Sequence, residues 1–139
     1  MKLIIINGPN LNLLGRREVD VYGVETMEQV ISSLRATFNQ ISIDYFQSNV
    51  EGEIIDKIHE VGFDYDGIII NPGGYSHTSV SISDAIAAVS TKVVEVHISN
   101  IYARESFRHA SLTAKSCVGV LSGFGVKGYS LAVSYLIEQ

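Results

Sequence analysis

One stretch decides the fold of this chain: Gly67-Ile68-Ile69-Ile70-Asn71-Pro72-Gly73-Gly74-Tyr75-Ser76-His77-Thr78-Ser79. Its apolar run is typical of a parallel strand that is buried on both faces. The run stops at Asn71, because Pro72 lacks a backbone N–H and the glycines that follow permit a tight turn. Thr78 and Ser79 can then accept hydrogen bonds from the first turn of a helix. Open α/β sheets bind ligands where a strand ends before such a helix, so we expect a binding site here.

Strand patterns and helix patterns alternate along the rest of the chain. The predicted strands cover residues 3–6, 41–45, 67–70, 93–97 and 117–121, and apolar residues at helical spacing lie between them and after the last one. In the second strand, apolar residues alternate with polar ones, which indicates an edge position. The pattern predicts an α/β fold in a single domain, residues 1–139. We expect a flavodoxin-like, doubly wound, five-stranded parallel sheet with strand order 2-1-3-4-5.

Two of the predicted helices begin with a capping-box pattern, in which a Ser or Thr is followed three residues later by Glu or Gln. Thr26 and Gln29 form this pattern before the first helix, and Ser48 and Glu51 form it before the second. In such a box, each side chain accepts a hydrogen bond from the backbone N–H of the other residue. We therefore expect both helices to be capped by these side chains.

Composition and charge limit the class of partner. The chain has 139 residues, a formal net charge of −5 and a single cysteine, Cys117. The negative charge argues against nucleic acid as a partner, although local arginines can still bind a small anion. The lone cysteine excludes a disulfide within the chain and is interpreted as a small buried hydrophobe. With no apolar run of membrane-spanning length, and Met1-Lys2 leading directly into a strand, we expect a cytoplasmic protein without a membrane partner.

Other functions of this fold lack their characteristic residues. Gly123-Phe124-Gly125-Val126-Lys127-Gly128 matches the dinucleotide-binding fingerprint, but no following strand with an acidic ribose ligand is predicted, so we expect a strand-to-helix turn here. A flavin-binding or nucleotide-binding electron-transfer module stays an alternative, although the turn after the first strand lacks a hydroxyl-rich phosphate loop. The four histidines show no ligand-type spacing, and we therefore predict no metal site.

Polar side chains gather at the carboxyl ends of three predicted strands. They are Asn10, Arg17 and Tyr22 after the first, Asn71 and His77 after the third, and His97, Ser99, Arg104 and Arg108 around the fourth. Glu95 and His97 alternate with valines, so both project to the same side of the sheet. A carboxylate can orient such a histidine and keep it protonated as a general acid, although the pair could equally be structural. Arg104 and Arg108, four residues apart, are predicted to share one short helical segment.

The polar segment 16–23 contains the candidate base. Its composition fits either a mobile flap on glycine hinges or an ordinary solvated connector. A tyrosine is ordinarily protonated at neutral pH, but a neighbouring arginine, here Arg17 or Arg16, would favour the phenolate form of Tyr22. An acid and a base on different loops, around a pocket suited to an anion, indicate proton abstraction with elimination.

A set of short motifs, in a defined order over nearly the whole chain, points to one known family. The motifs are Ile6-Asn7-Gly8-Pro9-Asn10-Leu11-Asn12-Leu13-Leu14-Gly15, Arg17-Glu18, Tyr22-Gly23, Gln47-Ser48-Asn49 with Glu51-Gly52, Asn71-Pro72-Gly73, His77-Thr78-Ser79, Glu95-Val96-His97-Ile98-Ser99-Asn100, and Ala103-Arg104-Glu105 with Phe107-Arg108. In this combination the chain resembles the type II 3-dehydroquinate dehydratases. These enzymes of the shikimate pathway convert 3-dehydroquinate to 3-dehydroshikimate by anti elimination through an enolate, without a cofactor.

The resemblance implies a role for each matching residue. Tyr22 would be the base, with Arg17 stabilising charge, and Asn10 would position a water molecule against the enolate oxygen. His97, oriented by Glu95, would protonate the departing hydroxyl. The substrate-binding residues implied by the family are the backbone amides of Ile98 and Ser99 for the carboxylate, Asn71, His77 and Arg108 for the other oxygens, and Asp84, which would reach a neighbouring subunit's site. The implied partners are the substrate 3-dehydroquinate and further copies of the chain, as trimers packed into a dodecamer.

Overall fold

Five parallel strands form a single sheet in the computed structural model, which describes all 139 residues. The strands are β1 (Lys2–Asn7), β2 (Ser42–Gln47), β3 (Gly67–Asn71), β4 (Val93–His97) and β5 (Gly119–Ser122), and they lie in the order β2-β1-β3-β4-β5. The predicted order and the edge position of β2 are confirmed. The predicted start of the last strand at residue 117 is wrong, because residues 114–116 form a 3-10 turn that delays the strand to Gly119.

Four of the five helices cover the two faces of the sheet, and the shortest one, which comes first in the chain, has no buried residue. The five helices are α1 (Val19–Tyr22), α2 (Met27–Thr37), α3 (Glu51–Val61), α4 (Val80–Ala88) and α5 (Lys127–Ile137). None of them combines the length and the apolar character that crossing a membrane requires. Between β5 and α5, the glycine-rich segment forms the predicted turn, and Gly123 and Gly125 adopt φ angles of 94° and 62° that favour glycine.

Successive residues of each strand pack into two separate core layers, since side chains alternate between the faces of a sheet. Leu3 and Ile5 of β1 pack with the apolar residues of α2 and α5 on one face. Ile4 and Ile6 pack with those of α3 and α4 on the other face. This double burial explains why the strands carry unbroken apolar runs, and it leaves the loops at the strand ends to carry the polar side chains.

The structure contains the predicted capping box at α2, whereas the prediction of a second box at α3 is wrong. Thr26 and Gln29 exchange the two expected hydrogen bonds, of 2.9 and 3.2 Å, at the start of α2. At α3 the capping position is occupied by Val50, and no side chain caps the helix. Ser48 lies two residues ahead of that position. It accepts a hydrogen bond from the Val50 N–H (2.9 Å) and donates to Glu53, and the predicted bonds with Glu51 are not formed.

The sheet opens at the carboxyl ends of β3 and β4. Register pairs between β1 and β3 continue to Asn7 and Asn71, whereas those between β3 and β4 end at Ile70 and Glu95. In β3 the Ile68 N–H points toward β4 and donates to Lys92 O (2.9 Å). The backbone N–H groups of alternate strand residues point toward the same neighbouring strand, so an N–H at position 72 would donate toward β4. Pro72 has no N–H and cannot make this hydrogen bond. The gap that results is the floor of the candidate site.

Candidate active site

A pocket at this open edge collects most of the predicted site residues. Of the predicted residues, it is lined by Asn10, Arg17, Tyr22, Asn71, His77, His97, Ile98, Ser99 and Arg108, and Arg104 lines it as well. Glu95 does not line the pocket, because it lies fully buried behind His97. Asp84 is exposed on α4 and does not line the pocket either.

His97 and Glu95 form a hydrogen-bonded pair on β4, on the same side of the strand as predicted. The distance from His97 Nε2 to Glu95 Oε2 is 2.8 Å, and the carboxylate is fully buried. The Ser111 hydroxyl donates to Oε2 (2.7 Å) and the Thr113 hydroxyl donates to Oε1. Burial by itself would raise the pKa of Glu95, but the hydrogen bonds from His97, Thr113 and Ser111 outweigh it and hold the pKa below its ordinary value.

The carboxylate determines which nitrogen of His97 faces the pocket. An ionised carboxylate only accepts hydrogen bonds, so Nε2 must carry the hydrogen that it shares with Glu95. His97 Nδ1 makes no hydrogen bond within the chain, and the ring lines the pocket. When the ring is doubly protonated, Nδ1 is therefore the position from which a proton can be given to a bound molecule.

We expect Glu95→Gln to lower the free energy of unfolding at pH 7 by about 1.5–3 kcal/mol, the range for hydrogen bonds to a charged group. Because the pKa of Glu95 is lower in the folded chain than the ordinary 4.5, its charged form stabilises the folded state. That contribution is complete above pH 4.5 and is lost as the pH falls through the lowered pKa. Denaturant unfolding of both proteins at several pH values between neutral and acidic measures the difference.

The matched control for this prediction is Glu28→Gln, at an exposed glutamate of α2. We expect it to change the unfolding free energy by no more than about 0.5 kcal/mol. A gap between wild type and Glu95→Gln that stayed constant down to strongly acidic pH would contradict the stabilising role of the Glu95 charge.

Tyr22, at the end of α1, meets two arginines. Its hydroxyl accepts a hydrogen bond from Arg104 Nη1 (2.7 Å), and Arg104 also donates to Ser99 Oγ (3.2 Å). The Arg17 guanidinium lies over the Tyr22 ring, 4.8 Å from its centroid, and pairs with Glu18. The group that touches the Tyr22 hydroxyl in this structure is therefore Arg104, whereas the sequence pointed to Arg17 or Arg16.

The segment around Tyr22 turns sharply at three residues. Gly15, Glu18 and Gly23 have φ angles of 88°, 42° and 85°, all in the left-handed region. This region suits glycine and is strained for Glu18. The short helix α1 between these turns holds Tyr22 against Arg104 at the pocket, and mobility of the segment stays a prediction.

Arg104 and Arg108 do not share one helical segment, and that prediction is wrong. Arg104 lies between two separate 3-10 turns, Ile101–Ala103 and Ser106–Arg108. The chain changes direction between the turns, where Arg104 itself is extended (φ −113°, ψ −165°). Both guanidinium groups line the same pocket despite this change, and Arg108 Nε is held by Glu105 at 2.7 Å.

Two neighbouring backbone amides lie unused at the pocket wall. The N–H groups of Ile98 and Ser99, directly after β4, donate no hydrogen bond within the chain. Both residues line the pocket beside His97. Adjacent free N–H groups of this kind can bind a carboxylate, since each can donate to one of its oxygens.

Sequence reasoning missed the residues that surround Glu95, and it did not connect Arg104 with Tyr22. Ser111 and Thr113 lie in an irregular stretch without helical or strand periodicity, so no sequence pattern marked them. Arg104 and Tyr22 are 82 residues apart in the chain. The structure brings no group of three or more His, Cys, Asp or Glu side chains together in an arrangement that could hold a metal ion.

A comparison with protein families decides where the chain belongs. The family model described as dehydroquinase class II matches residues 1–137, nearly the whole chain. The chain belongs to this family. The resemblance found in the sequence motifs is thereby confirmed, and nothing in the comparisons supports the flavin-binding alternative.

Individual relatives match over nearly the whole of this chain. A 3-dehydroquinate dehydratase from Exiguobacterium sp. is 50% identical over 140 aligned positions, covering 100% of this chain and 96% of that protein. One from Campylobacter jejuni is 54% identical, covering 99% and 88%. The crystal structure of a type II dehydroquinase from Butyrivibrio crossotus superposes with a TM-score of 0.95 at 49% identity, covering 99% of this chain and 97% of that one. The type II dehydroquinase from Propionibacterium acnes gives 0.93 at 36% identity, with the same coverage.

Proposed function

We propose that this dehydroquinase class II protein eliminates water from 3-dehydroquinate to give 3-dehydroshikimate, a step of the shikimate pathway. The observation that carries the proposal is the pairing of two activated groups in one pocket. A tyrosine hydroxyl bound by an arginine lies on one side, and a histidine bound by a buried carboxylate lies on strand β4. Such a pair supplies the base and the acid that an elimination needs.

Tyr22 acts as the base in this proposal. Its phenolate removes the proton on the carbon next to the ketone. The electron pair of that C–H bond forms the carbon–carbon double bond of the enolate, and the π pair of the carbonyl moves to the ketone oxygen. Arg104, at 2.7 Å from the hydroxyl oxygen, and Arg17, over the ring, place two positive charges beside the phenolate. Asn10 lines the same pocket and positions a water molecule against the enolate oxygen.

His97 acts as the acid. When the enolate collapses, the carbon–carbon double bond forms, the C–O bond to the hydroxyl breaks, and His97 Nδ1 gives its proton to the departing oxygen. Glu95 holds the opposite nitrogen and stabilises the doubly protonated ring. Water is the only by-product, and the substrate is neither oxidised nor reduced. Tyr22 ends the cycle protonated and His97 ends it one proton short, so a proton passes from Tyr22 to His97 through solvent before the next turnover.

The remaining groups of the pocket hold the substrate. The free N–H groups of Ile98 and Ser99 bind the substrate carboxylate in this proposal. Asn71 and Arg108 line the pocket and donate to its hydroxyl and ketone oxygens. His77 donates its Nδ1–H to Ala110 O (2.8 Å), which leaves Nε2 to accept a hydrogen bond from a substrate hydroxyl. Three cationic side chains around one small pocket also explain how a chain with net charge −5 can attract an anionic substrate.

The direct test is to add 3-dehydroquinate to the purified protein and follow the ultraviolet absorbance of the conjugated enone in the product. We expect absorbance to grow in proportion to the protein concentration. A protein that gave no such absorbance and bound a flavin, visible as a yellow colour, would contradict the proposal in favour of an electron-transfer module.

We expect sodium borohydride to leave the activity intact in the presence of substrate. The other known chemistry for this dehydration forms a Schiff base between a lysine and the substrate ketone, and borohydride traps that intermediate. None of the five lysines lines the pocket: Lys2, Lys57, Lys92, Lys115 and Lys127. Residual activity and the intact mass of the protein, with and without substrate, are the two measurements. A lysine adduct that appeared only with substrate would overturn the enolate mechanism.

We also propose that the chain acts in the cytoplasm and assembles as trimers packed into a dodecamer, with Asp84 contributing to a neighbouring copy's site. The support is its family and the exposure of Asp84 on α4, away from the pocket of its own chain.

We expect Asp84→Ala to raise KM for 3-dehydroquinate or to weaken the trimer. Light scattering and steady-state kinetics measure the two effects. Asp56→Ala, at an exposed aspartate of α3, is the matched control. Wild-type mass and KM in Asp84→Ala would exclude the role.

A further inference from the structure

Tyr129 lies in α5 with no exposed surface, and its hydroxyl contacts Asn71, a residue that lines the pocket. The hydroxyl donates to Asn7 Oδ1 (2.9 Å) and accepts from Asn71 Nδ2 (3.0 Å). Asn7 and Asn71 are register partners at the carboxyl ends of β1 and β3, and both are buried. A tyrosine hydroxyl is thus placed between the last side chains of two central strands.

A single backbone group sets the direction of every hydrogen bond in this cluster. The Gly73 N–H can only donate, and one terminal atom of the Asn71 side chain lies 3.1 Å from it. That terminal atom must accept the hydrogen bond, so it is Oδ1. The other terminal atom is then Nδ2, a donor, and the Tyr129 oxygen must accept from it. The hydroxyl hydrogen of Tyr129 is therefore left for Asn7 Oδ1, and Asn7 Nδ2 faces the Tyr45 hydroxyl at 3.4 Å.

We infer that Tyr129 is a positioning residue for Asn71, holding its amide so that the second Nδ2 hydrogen is offered to the pocket as a donor. Nδ2 carries two hydrogens, of which Tyr129 takes one, and no other group of the chain takes the second. Asn71 lines the pocket. The donor suits a ketone or hydroxyl oxygen of the substrate. The inference rests on the proposed function, in which Asn71 contacts the substrate.

Burial makes the arrangement hard to reverse. Flipping the Asn71 amide would set Nδ2 against the Gly73 N–H, two donors facing each other without water to satisfy them. Burial also raises the pKa of Tyr129, so its hydroxyl keeps the hydrogen that Asn7 needs. Buried networks in which every member is satisfied hold one geometry more firmly than exposed ones.

The test is Tyr129→Phe, which removes one oxygen and keeps the ring. We expect KM for 3-dehydroquinate to rise about three- to tenfold, the loss of about one well-aligned hydrogen bond, with a smaller change in kcat. Tyr135→Phe is the matched control, since it makes the same substitution in the same helix at a hydroxyl with no hydrogen bond within the chain. We expect Tyr135→Phe to match wild type.

A double-mutant cycle with Asn71→Ala separates this inference from the proposed function. We expect Asn71→Ala to raise KM, and Tyr129→Phe to add nothing further in that background. An unchanged KM in Asn71→Ala would remove Asn71 from substrate binding and so contradict the proposed function at that residue. Two results would overturn only the positioning role, provided that Asn71→Ala itself raises KM. In the first, Tyr129→Phe alone leaves KM unchanged. In the second, Tyr129→Phe raises KM further in the double variant.

A neutron crystal structure of the deuterated wild-type protein tests the same point without any variant, in case Tyr129→Phe does not fold. We expect the hydroxyl deuterium of Tyr129 on the line to Asn7 Oδ1, and one deuterium of Asn71 Nδ2 directed into the pocket. A Tyr129 deuterium directed at Asn71 instead would overturn the inference.

Discussion

Tyr22→Phe is expected to fold normally and to lose about a hundred- to ten-thousandfold in kcat, the usual contribution of a general base. The substitution removes only the phenol oxygen that Arg104 binds at 2.7 Å, and the ring can stay beneath the Arg17 guanidinium. Because Tyr22 is half-exposed and its hydroxyl bonds only to that arginine, little stability depends on it. Turnover of 3-dehydroquinate, followed by the enone absorbance, measures the loss, and circular dichroism checks the fold.

The matched control is Tyr102→Phe, at an exposed tyrosine in the 3-10 turn just before Arg104. Its side chain is 66% exposed and does not line the pocket, so we expect wild-type kcat and KM. Near-normal turnover in Tyr22→Phe would remove Tyr22 from the mechanism and leave the role of base to another group.

The second large effect is expected for His97→Gln, with a loss in kcat of about a hundred- to ten-thousandfold. Glutamine is preferable to alanine here, because its amide can still donate to the buried Glu95 carboxylate and so avoids leaving that charge unpaired. The amide cannot give up a proton, however, and the leaving hydroxyl then has no acid. Steady-state turnover at several pH values measures the loss.

His59→Gln serves as the control, since His59 is exposed on α3 and makes no hydrogen bond through its side chain. We expect it to match wild type in kcat and in thermal stability. If His97→Gln kept its turnover while remaining folded, the pair with Glu95 would be structural only, as the sequence analysis allowed.

The sequence by itself determined the architecture of this protein. Unbroken apolar runs, helical spacing and the alternation in β2 are local signals, and they predicted five parallel strands in the order that the structure shows. The carboxyl ends of parallel strands meet at one edge of a sheet, so the sequence also placed Asn71, His97 and their neighbours around one pocket. The short motifs, read together, identified the family.

Only the tertiary structure decided which side chains meet within that pocket. Arg104 contacts Tyr22 across 82 residues of chain, and Tyr129 joins Asn71 across 58. Neither contact has a local signal, because each depends on how distant segments return to the same strand ends. The capping prediction at Ser48 failed for a related reason: a shift of two residues in the helix start moved its hydroxyl out of reach. Periodicity is determined within a few residues, whereas hydrogen-bond partners depend on packing of the whole chain.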